Sequence, residues 1–275
     1  MKNIDLKTVE GFGREWASFD QRGLSDEEKS KIFDDYFHQF PWSKLTADAV
    51  GLDVGCGSGR WAAVVAPRIG HLHLIDASQD ALQVAKKNLS KLKNCGFHHA
   101  SVGDLPFLEN SLDFAYSLGV LHHVPDTAAA IKSVAKRLKP GAPFLVYLYY
   151  AFDNRPLWFR MMWGISDVAR RLISRLPYML RLLICQLISV LIYLPFARVA
   201  RLLDSVGALP SAWPLAYYRD KSFYVMRTDA LDRFGTRLEQ RFSRQQIELM
   251  LENAGFKDIH FSDKPPYWCA VAVKG

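Results

Sequence analysis

The sequence has few cysteines, and no two of them have the spacing of a metal-binding or redox motif. The four cysteines are Cys56, Cys95, Cys185 and Cys269. Without a C-x-x-C motif or a closely spaced set, the sequence supports neither a structural zinc site nor a disulfide-stapled domain. We therefore expect no bound metal and a reducing, cytoplasmic location.

Other signals are also missing. The first ten residues are polar and contain no apolar signal region. The chain shows no internal repeat and no low-complexity tract. Its 275 residues suffice for one domain with a sizeable insertion.

The positive charge of the chain is confined to one segment. Between Arg155 and Arg201 there are eight arginines, no lysine and one acid, Asp167, a surplus of seven that equals the formal net charge of +7. Positive charge alone is compatible with nucleic-acid binding. Here, however, the arginines alternate with long apolar runs and no RNA-binding motif accompanies them, which argues against a nucleic-acid partner.

A glycine-rich turn follows the first predicted strand. The apolar run 49–52 leads into Asp53-Val54-Gly55-Cys56-Gly57-Ser58-Gly59, and a helical pattern covers 60–69. Strand, glycine turn and helix together make a cradle for a nucleotide or nucleoside, because glycines admit a ligand close to the backbone and the helix start offers free N–H groups. Arg60 stands where the dinucleotide fingerprint has its last glycine, which disfavours a dehydrogenase.

Two further acids follow predicted strands. Asp76 ends the strand 71–75, 19 residues after Gly57, where an acid can accept hydrogen bonds from both ribose hydroxyls. Asp104 follows the strand 97–102 and precedes Leu105-Pro106. Asp104 either binds the nucleobase of the ligand or is an ordinary turn aspartate before proline.

The stretch from Asp53 to Gly59 resembles the first motif of the class I S-adenosylmethionine (SAM) methyltransferases. Leu118-Gly119-Val120-Leu121-His122-His123, after the fourth predicted strand, resembles a motif of the ubiquinone/menaquinone-methylase-like (type 11) branch. The resemblance extends from Asp53 to Tyr150. It implies an α/β fold with a Rossmann-like sheet of seven strands, the last antiparallel, and SAM as methyl donor with S-adenosylhomocysteine as product.

The same resemblance implies a set of cofactor contacts. The implied residues are Asp53, Gly55, Cys56, Gly57, Asp76, Ala77, Asp104, Leu105, Leu118 and, from the N-terminal segment, Trp16. In related enzymes an aromatic N-terminal segment folds over the cofactor, and Trp16 with Phe19 could do so here. The alternative is that both rings anchor a surface helix to the core.

His122 and His123 lie where the transferred methyl should emerge, and histidine can serve as a base near neutral pH. Neighbours on a loop point in different directions, so at most one of them is a catalytic residue. The alternative is that both shape the loop or bind a backbone carbonyl.

We expect four segments: an N-terminal helical lid (1–48), a SAM-binding core (49–150), a mostly helical cap insertion (151–241) and a C-terminal helix and hairpin that complete the sheet (242–275). The cap contains the apolar stretch 182–194, bracketed by arginines. Counted from Tyr178, this stretch is broken by Arg181 and Gln186, so we expect no membrane span, which needs about twenty apolar residues. Segment 156–201 is thus a buried cap, a homodimer surface or a helix lying on a membrane as a peripheral contact.

If the cap covers the cleft, polar and aromatic residues around it should bind the methyl acceptor. The candidates are Tyr150, Tyr218, Arg219, Tyr224, Arg227 and Asp229. The alternative is a solvated ion-pair network in linkers. The sequence therefore predicts a methyltransferase for a small hydrophobic or anionic acceptor, such as a quinone, a lipid-linked intermediate or a secondary metabolite. An RNA-directed methyltransferase and a SAM-binding protein without catalysis stay open as alternatives.

Overall fold

The computed structural model describes residues 2–18 and 25–275. They form two compact units. The first, here called the sheet unit, comprises residues 2–18, Ser30–Ala151 and Leu238–Gly275. The second, here called the helical unit, comprises residues 25–29 and Phe152–Arg237. Against the predicted segments, the chain thus returns to the sheet unit at Leu238, four residues earlier than expected, and residues 25–29 of the predicted lid group with the helical unit.

A sheet of seven strands forms the centre of the sheet unit, in the order β3-β2-β1-β4-β5-β7-β6. β1 to β5 pair in parallel, and β7 pairs antiparallel with both β5 and β6. The strands are β1 Val50–Val54, β2 His71–Asp76, β3 Cys95–His99, β4 Phe114–Leu118, β5 Pro143–Tyr147, β6 Phe256–Phe261 and β7 Cys269–Lys274. This confirms the predicted fold, including the single antiparallel last strand.

The middle strands are buried because helices cover the sheet. Leu52, Phe114 and Phe144, one from each of β1, β4 and β5, are completely buried, as expected for parallel strands covered on both faces. The chain order reverses direction in the sheet between β1 and β4, and open α/β sheets bind ligands beyond the carboxyl ends of the strands at such a point. The helices are α1 Leu6–Ser18, α2 Asp26–Phe37, α3 Ala62–Val65, α4 Gln79–Asn88, α5 Thr127–Arg137 and, numbered last in the chain, α10 Arg244–Asn253.

The helical unit is built mainly of four helices. They are α6 Leu157–Ile173, α7 Tyr178–Ile188, α8 Leu194–Ser205 and α9 Phe223–Gly235. Arg227 and Asp229, which one alternative of the sequence analysis placed in a linker, lie in α9. The Ser222 hydroxyl caps this helix by accepting from Val225 N at 3.4 Å, and its buried residues recur at helical spacing, among them Met226, Ala230 and Phe234.

A π-helical turn at Ser189–Tyr193 joins α7 and α8 into one continuous helix of 28 residues, Tyr178–Ser205. The helix extends beyond the apolar stretch 182–194, because it continues through Pro195 to Ser205. By length and composition this helix could cross a membrane, and only 22% of its most apolar window is buried.

Candidate cofactor and active site

The glycine loop after β1 lies against the loop after β4. Gly55 has a φ of +76°, and a Cβ on it would come within 2.3 Å of Val120 Cγ1. Only glycine therefore fits this close approach and this left-handed backbone. The contact brings together the two loops that flank the reversal in strand order.

Asp76 is fixed at the end of β2 by two backbone donors. Gly57 N donates to its Oδ2 at 3.0 Å, and Ser78 N donates to its Oδ1 at 2.8 Å. Burial raises the pKa of the Asp76 carboxyl above its usual value, while these N–H donors act to lower it. Because each carboxylate oxygen has two lone pairs, the group can still accept hydrogen bonds from a vicinal diol such as ribose. Ala77 follows directly, and its carbonyl contacts the His99 ring nitrogen at 3.0 Å.

Asp53 is buried beneath the loop. The Tyr116 hydroxyl donates to its Oδ2 at 2.8 Å, and Asp53 is 2% exposed. Burial raises the pKa of Asp53 to about 8, against the lowering effect of this hydrogen bond. One oxygen of Asp53 thus stabilises the packing of β1 on β4, and a direct contact with a cofactor stays a prediction. Cys56 beside it is also buried, and burial raises the pKa of its thiol.

The N-terminal segment is tied to the ends of β3 and β4. Lys2 N donates to Ser101 Oγ at 3.2 Å, and that hydroxyl donates to Lys2 O at 2.7 Å. Asn3 and Asp126 exchange two hydrogen bonds, of 2.7 and 2.8 Å. The segment therefore passes over the carboxyl edge of the sheet before α1 begins.

Helix α1 then crosses the ends of three strands. A Cβ on Gly13 would lie 2.6 Å from Ser78 Oγ, the Phe12 and His123 rings lie 4.9 Å apart, and the Trp16 indole lies on Gly57. A Cβ on Gly57 would come within 2.8 Å of Trp16 Cε2. Trp16 thus lies over the glycine loop, and its contact with a cofactor stays a prediction. Phe19 lies outside the described residues.

The remaining predicted cofactor residues differ in exposure. Asp104 is exposed in the loop after β3, where its N–H donates to Ser101 O at 3.0 Å. Leu105 is buried in the core, at 5% exposure, so its side chain packs and only its backbone faces the loop. Leu118 ends β4.

The two histidines occupy different environments. His123 Nδ1 lies 2.7 Å from Leu238 O. Because a carbonyl only accepts, Nδ1 carries the proton, and Nε2 is the basic atom of the neutral ring. The Leu238 N–H in turn donates a hydrogen bond to Thr8 Oγ1 at 3.3 Å.

His122 has the opposite tautomer. Tyr149 N donates to His122 Nδ1 at 3.4 Å, so the proton lies on Nε2. His122 is fully buried, and its Nε2 has no hydrogen-bond partner among the described residues. Burial, followed by the charge of His123, holds the pKa of His122 well below its usual value. His122 is therefore a neutral hydrogen-bond donor and a weak base.

The sequence did not predict a buried ion pair next to the histidines. Arg241 Nε lies 2.8 Å from Glu239 Oε1, and the Glu239 side chain is 1% exposed. The Arg241 guanidinium lies 4.9 Å from the centre of the Tyr149 ring and donates to Tyr150 O at 3.3 Å. No motif marks these residues, because their place depends on the chain returning beside β5.

Aromatic rings surround the end of β5. Tyr147 lies 5.3 Å from Tyr36, which lies 5.5 Å from Trp61. Tyr149 stacks on His122 at 3.8 Å. Tyr150, a predicted acceptor residue, belongs to the same edge of the sheet unit.

The other predicted acceptor residues belong to the helical unit, where they contact one another or their neighbours. Tyr218 donates to Asp229 Oδ2 at 2.9 Å. Arg219 pairs with Asp204 at 2.9 Å, Arg227 donates to Gln186, and Tyr224 O accepts from Thr228 Oγ1 at 3.0 Å. These contacts comprise one ion pair and three hydrogen bonds, and a role in acceptor binding stays a prediction for these residues.

The site geometry fits a nucleoside-bearing cofactor. The loop combines a close backbone, an oriented carboxylate at Asp76 and an aromatic cover at Trp16. The buried Ser58 hydroxyl in the loop has no hydrogen-bond partner among the described residues, so a polar ligand would satisfy it. Across the described ranges, no group of three or more His, Cys, Asp or Glu side chains is placed to hold a metal ion.

Sequence comparison indicates a methyltransferase domain, which binds a cofactor of this kind. Residues 52–146 match the family model described as a methyltransferase domain. Phosphoethanolamine N-methyltransferase 2 of Caenorhabditis elegans is 35% identical over 101 residues, which cover 36% of this chain and 23% of that protein. Demethylmenaquinone methyltransferase of Staphylococcus aureus (strain JH9) is 34% identical over 93 residues, covering 33% of this chain and 39% of that protein. The match thus spans well under half the length of these curated relatives.

Comparison with solved structures shows a likeness of the fold over most of this chain. The structure of Haemonchus contortus phosphoethanolamine N-methyltransferase 2, in complex with phosphomonomethylethanolamine and S-adenosylhomocysteine, covers 92% of this chain and 43% of its own, with a TM-score of 0.53 and 15% identity. At that identity the likeness concerns the fold alone. The family match and the sequence relatives identify residues 52–146 as a class I SAM-dependent methyltransferase domain of the type 11 family.

Proposed function

We propose that the protein is a methyltransferase that transfers a methyl group from SAM to a small-molecule acceptor. One observation carries the proposal. The Asp76 carboxylate is oriented by Gly57 N and Ser78 N at the end of β2, beneath the helix that places Trp16 on the loop. An oriented acid beside a glycine loop suits the ribose of a nucleoside. The family match supports SAM as that nucleoside.

The residues around the site suit group transfer by alignment. When bound, SAM supplies an electrophilic methyl on a sulfonium, and the displacement needs proximity, orientation and the exclusion of water. Trp16 and Phe12 on α1 cover the loops after β1 and β4. We infer that α1 excludes water while the two loops hold donor and acceptor in line.

His123 is the better candidate for a base. Its Nδ1 proton is bound by Leu238 O, so the ring orientation is fixed and Nε2 is the basic atom. We infer that this atom takes the acceptor's proton. His122 suits a different role, because its lowered pKa makes it a weak base and its buried Nε2–H a donor. We infer that His122 binds an acceptor oxygen.

The residues at the end of β5 support the acceptor class that we propose. The rings of Tyr36, Trp61 and Tyr149 make this edge of the sheet aromatic, which suits a planar or apolar acceptor, and Arg241 adds a guanidinium beside Tyr149. The names of the two relatives point the same way, one to a demethylated quinone and the other to a phosphate-bearing amine. We propose a hydrophobic or anionic acceptor.

Calorimetry with S-adenosylhomocysteine tests the cofactor assignment directly. We expect the wild-type protein to bind it and not NAD. Asp76→Ala removes a charged acceptor of ligand hydrogen bonds, so we expect a loss of roughly ten- to a hundredfold in affinity. Glu252→Gln, an exposed change on α10, should leave the affinity unchanged.

Three outcomes would contradict the proposal. Binding of NAD in place of S-adenosylhomocysteine would exclude the cofactor. Equal affinity in Asp76→Ala and wild type would exclude the site. Tight binding without release of S-adenosylhomocysteine from SAM, with quinol, amine and carboxylate acceptors all supplied, would make the protein a SAM-binding protein without catalysis.

A further inference from the structure

Exposed apolar side chains are concentrated in the helical unit. Of the 21 large hydrophobic residues that are exposed in the described part of the chain, all but three lie between Leu157 and Val206. The three exceptions are Leu6, Leu108 and Leu249. Soluble monomers rarely expose contiguous apolar patches of more than a few hundred Å², so this concentration needs a partner.

The exposed residues follow the helical repeat. On α6 the exposed residues Leu157, Met161, Ile165, Val168 and Leu172 recur every three or four positions, which places them on one face. The continuous helix α7–α8 carries a second such set, running from Met179 through Leu183, Leu187 and Leu191 to Leu202. We call these two sets together the apolar face.

The exposed charge on α6, on α7–α8 and on the turn between them is mostly positive, and the one exposed acid there, Asp204 of α8, pairs with Arg219 at 2.9 Å. Five arginines are exposed, namely Arg160, Arg171, Arg175, Arg198 and Arg201. The one acid between residues 155 and 203 is Asp167, which is buried and lies 2.7 Å from Arg170 and 2.9 Å from Arg171. A partner that covers this surface must therefore be apolar inside and negatively charged at its rim.

The other side of α7 is bound to protein through polar groups. Arg181, 8% exposed, donates to Gly235 O at 3.0 Å and to Ser174 O at 3.4 Å. Gln186 accepts from Arg227 on α9. A membrane-spanning helix would have to carry these groups into hydrocarbon, which is costly. The structure instead gives the helix one polar, protein-bound side and one apolar, exposed side.

We propose that the apolar face binds the surface of an anionic lipid bilayer, with α6 and α7–α8 lying in the plane of the interface. The leucines and methionines enter the acyl boundary, and the arginines bind lipid phosphates. An apolar sheet of hydrocarbon edged by negative headgroups is the partner whose chemistry matches both halves of this surface. The proposal does not depend on methyl transfer.

Vesicle flotation with the full-length protein tests the proposal. We expect flotation with vesicles that contain phosphatidylglycerol, weaker flotation with phosphatidylcholine alone, and release by high salt of the electrostatic part. Leu183→Gln should lower the partition coefficient by roughly tenfold or more, since one leucine side chain that the bilayer would bury is lost. The matched control is Leu249→Gln, because Leu183 and Leu249 are 56% and 55% exposed.

Charge variants give a second, independent comparison. Arg175→Gln and Arg198→Gln should each weaken binding to anionic vesicles by about fivefold, whereas Lys87→Gln, an exposed change on α4, should have no effect. Each of these changes is at an exposed position, and circular dichroism of each variant shows whether the fold is retained.

Three results would overturn the proposal. The first is no flotation of the wild-type protein with any vesicle. The second is a dimer in light scattering that Leu183→Gln dissociates, with no vesicle binding, which would make the apolar face a self-association surface. The third is membrane association that resists alkaline carbonate and needs detergent, which would make Tyr178–Ser205 a membrane span.

Discussion

The indole of Trp16 lies on the bare backbone of Gly57, so that a Cβ there would come within 2.8 Å of Trp16 Cε2. Gly57 also has a φ of +52°, and its N–H donates to Asp76. Gly57, which has no side chain, thus contacts Trp16 of the covering helix on one side and the Asp76 carboxylate on the other.

Gly57→Ala should therefore destabilise the protein and weaken S-adenosylhomocysteine binding. The left-handed backbone costs an alanine about 1–2 kcal/mol, and the clash with Trp16 adds to this. Urea denaturation measures the free energy of unfolding. Gly164→Ala is the control, because a Cβ there meets nothing within 4 Å and alanine favours the helix by up to about 1 kcal/mol.

In a Trp16→Ala background, the cost of Gly57→Ala should shrink to the backbone strain alone. The double-mutant cycle should then give a coupling free energy of about 0.5–3 kcal/mol. Strictly additive losses would show that Trp16 does not contact Gly57 in solution.

The buried Asp53 should make stability fall as the pH rises. Its pKa is raised from 3.8 to about 8 by burial, so between those values the folded state holds a proton that the unfolded state has released. The stabilisation is complete below 3.8 and is lost as the pH rises through about 8, with a slope of at most about 1.4 kcal/mol per pH unit.

Asp53→Asn removes this titration, so its free energy of unfolding should decline less over the same range. Guanidinium denaturation of both proteins from pH 5 to about pH 8 measures the difference. Parallel pH profiles would show that Asp53 is ionised in the folded protein.

The two histidines should show opposite tautomers in NMR spectra of ¹⁵N-labelled protein. We expect a proton on His123 Nδ1, bound to Leu238 O, and on His122 Nε2. The pKa of His122 should lie well below 6.5 because the ring is buried. As the pH falls below 6.5, the unfolded state gains a proton that folded His122 does not, so this residue lowers acid stability. Titration of His122 near 6.5 would contradict the buried position.

The capping box of α10 should contribute measurably to stability. Ser243 Oγ accepts from Gln246 N at 3.3 Å, and Gln246 Oε1 accepts from Ser243 N at 2.9 Å. Ser243→Ala should cost about 1 kcal/mol, as measured by thermal unfolding. Ser205→Ala, at an exposed position that ends α8, serves as control and should cost less.

The sequence predicted those parts of the protein whose signals are local. The glycine loop and the acid after β2 each stand in a fixed spacing that local geometry demands. The sheet of seven strands with an antiparallel last strand followed from the resemblance, and the structure confirms it.

The parts that the sequence did not predict depend on contacts between distant segments. Glu239 and Arg241 lie next to the histidines because the chain returns beside Tyr149. Helix α9 has many charged residues, and it forms because its apolar positions pack against the helices of its own unit, a contribution that outweighs intrinsic propensity. Tertiary packing cannot be read from such short stretches.

The chain leaves the sheet unit and re-enters it at neighbouring points. Ala151 N donates to Phe242 O at 2.9 Å, and Phe242 N donates to Tyr149 O at 2.9 Å. The excursion Phe152–Arg237 is therefore a module whose two ends are already joined by hydrogen bonds. Its length and sequence can change in evolution, or be exchanged in the laboratory, while the cofactor site keeps its own framework.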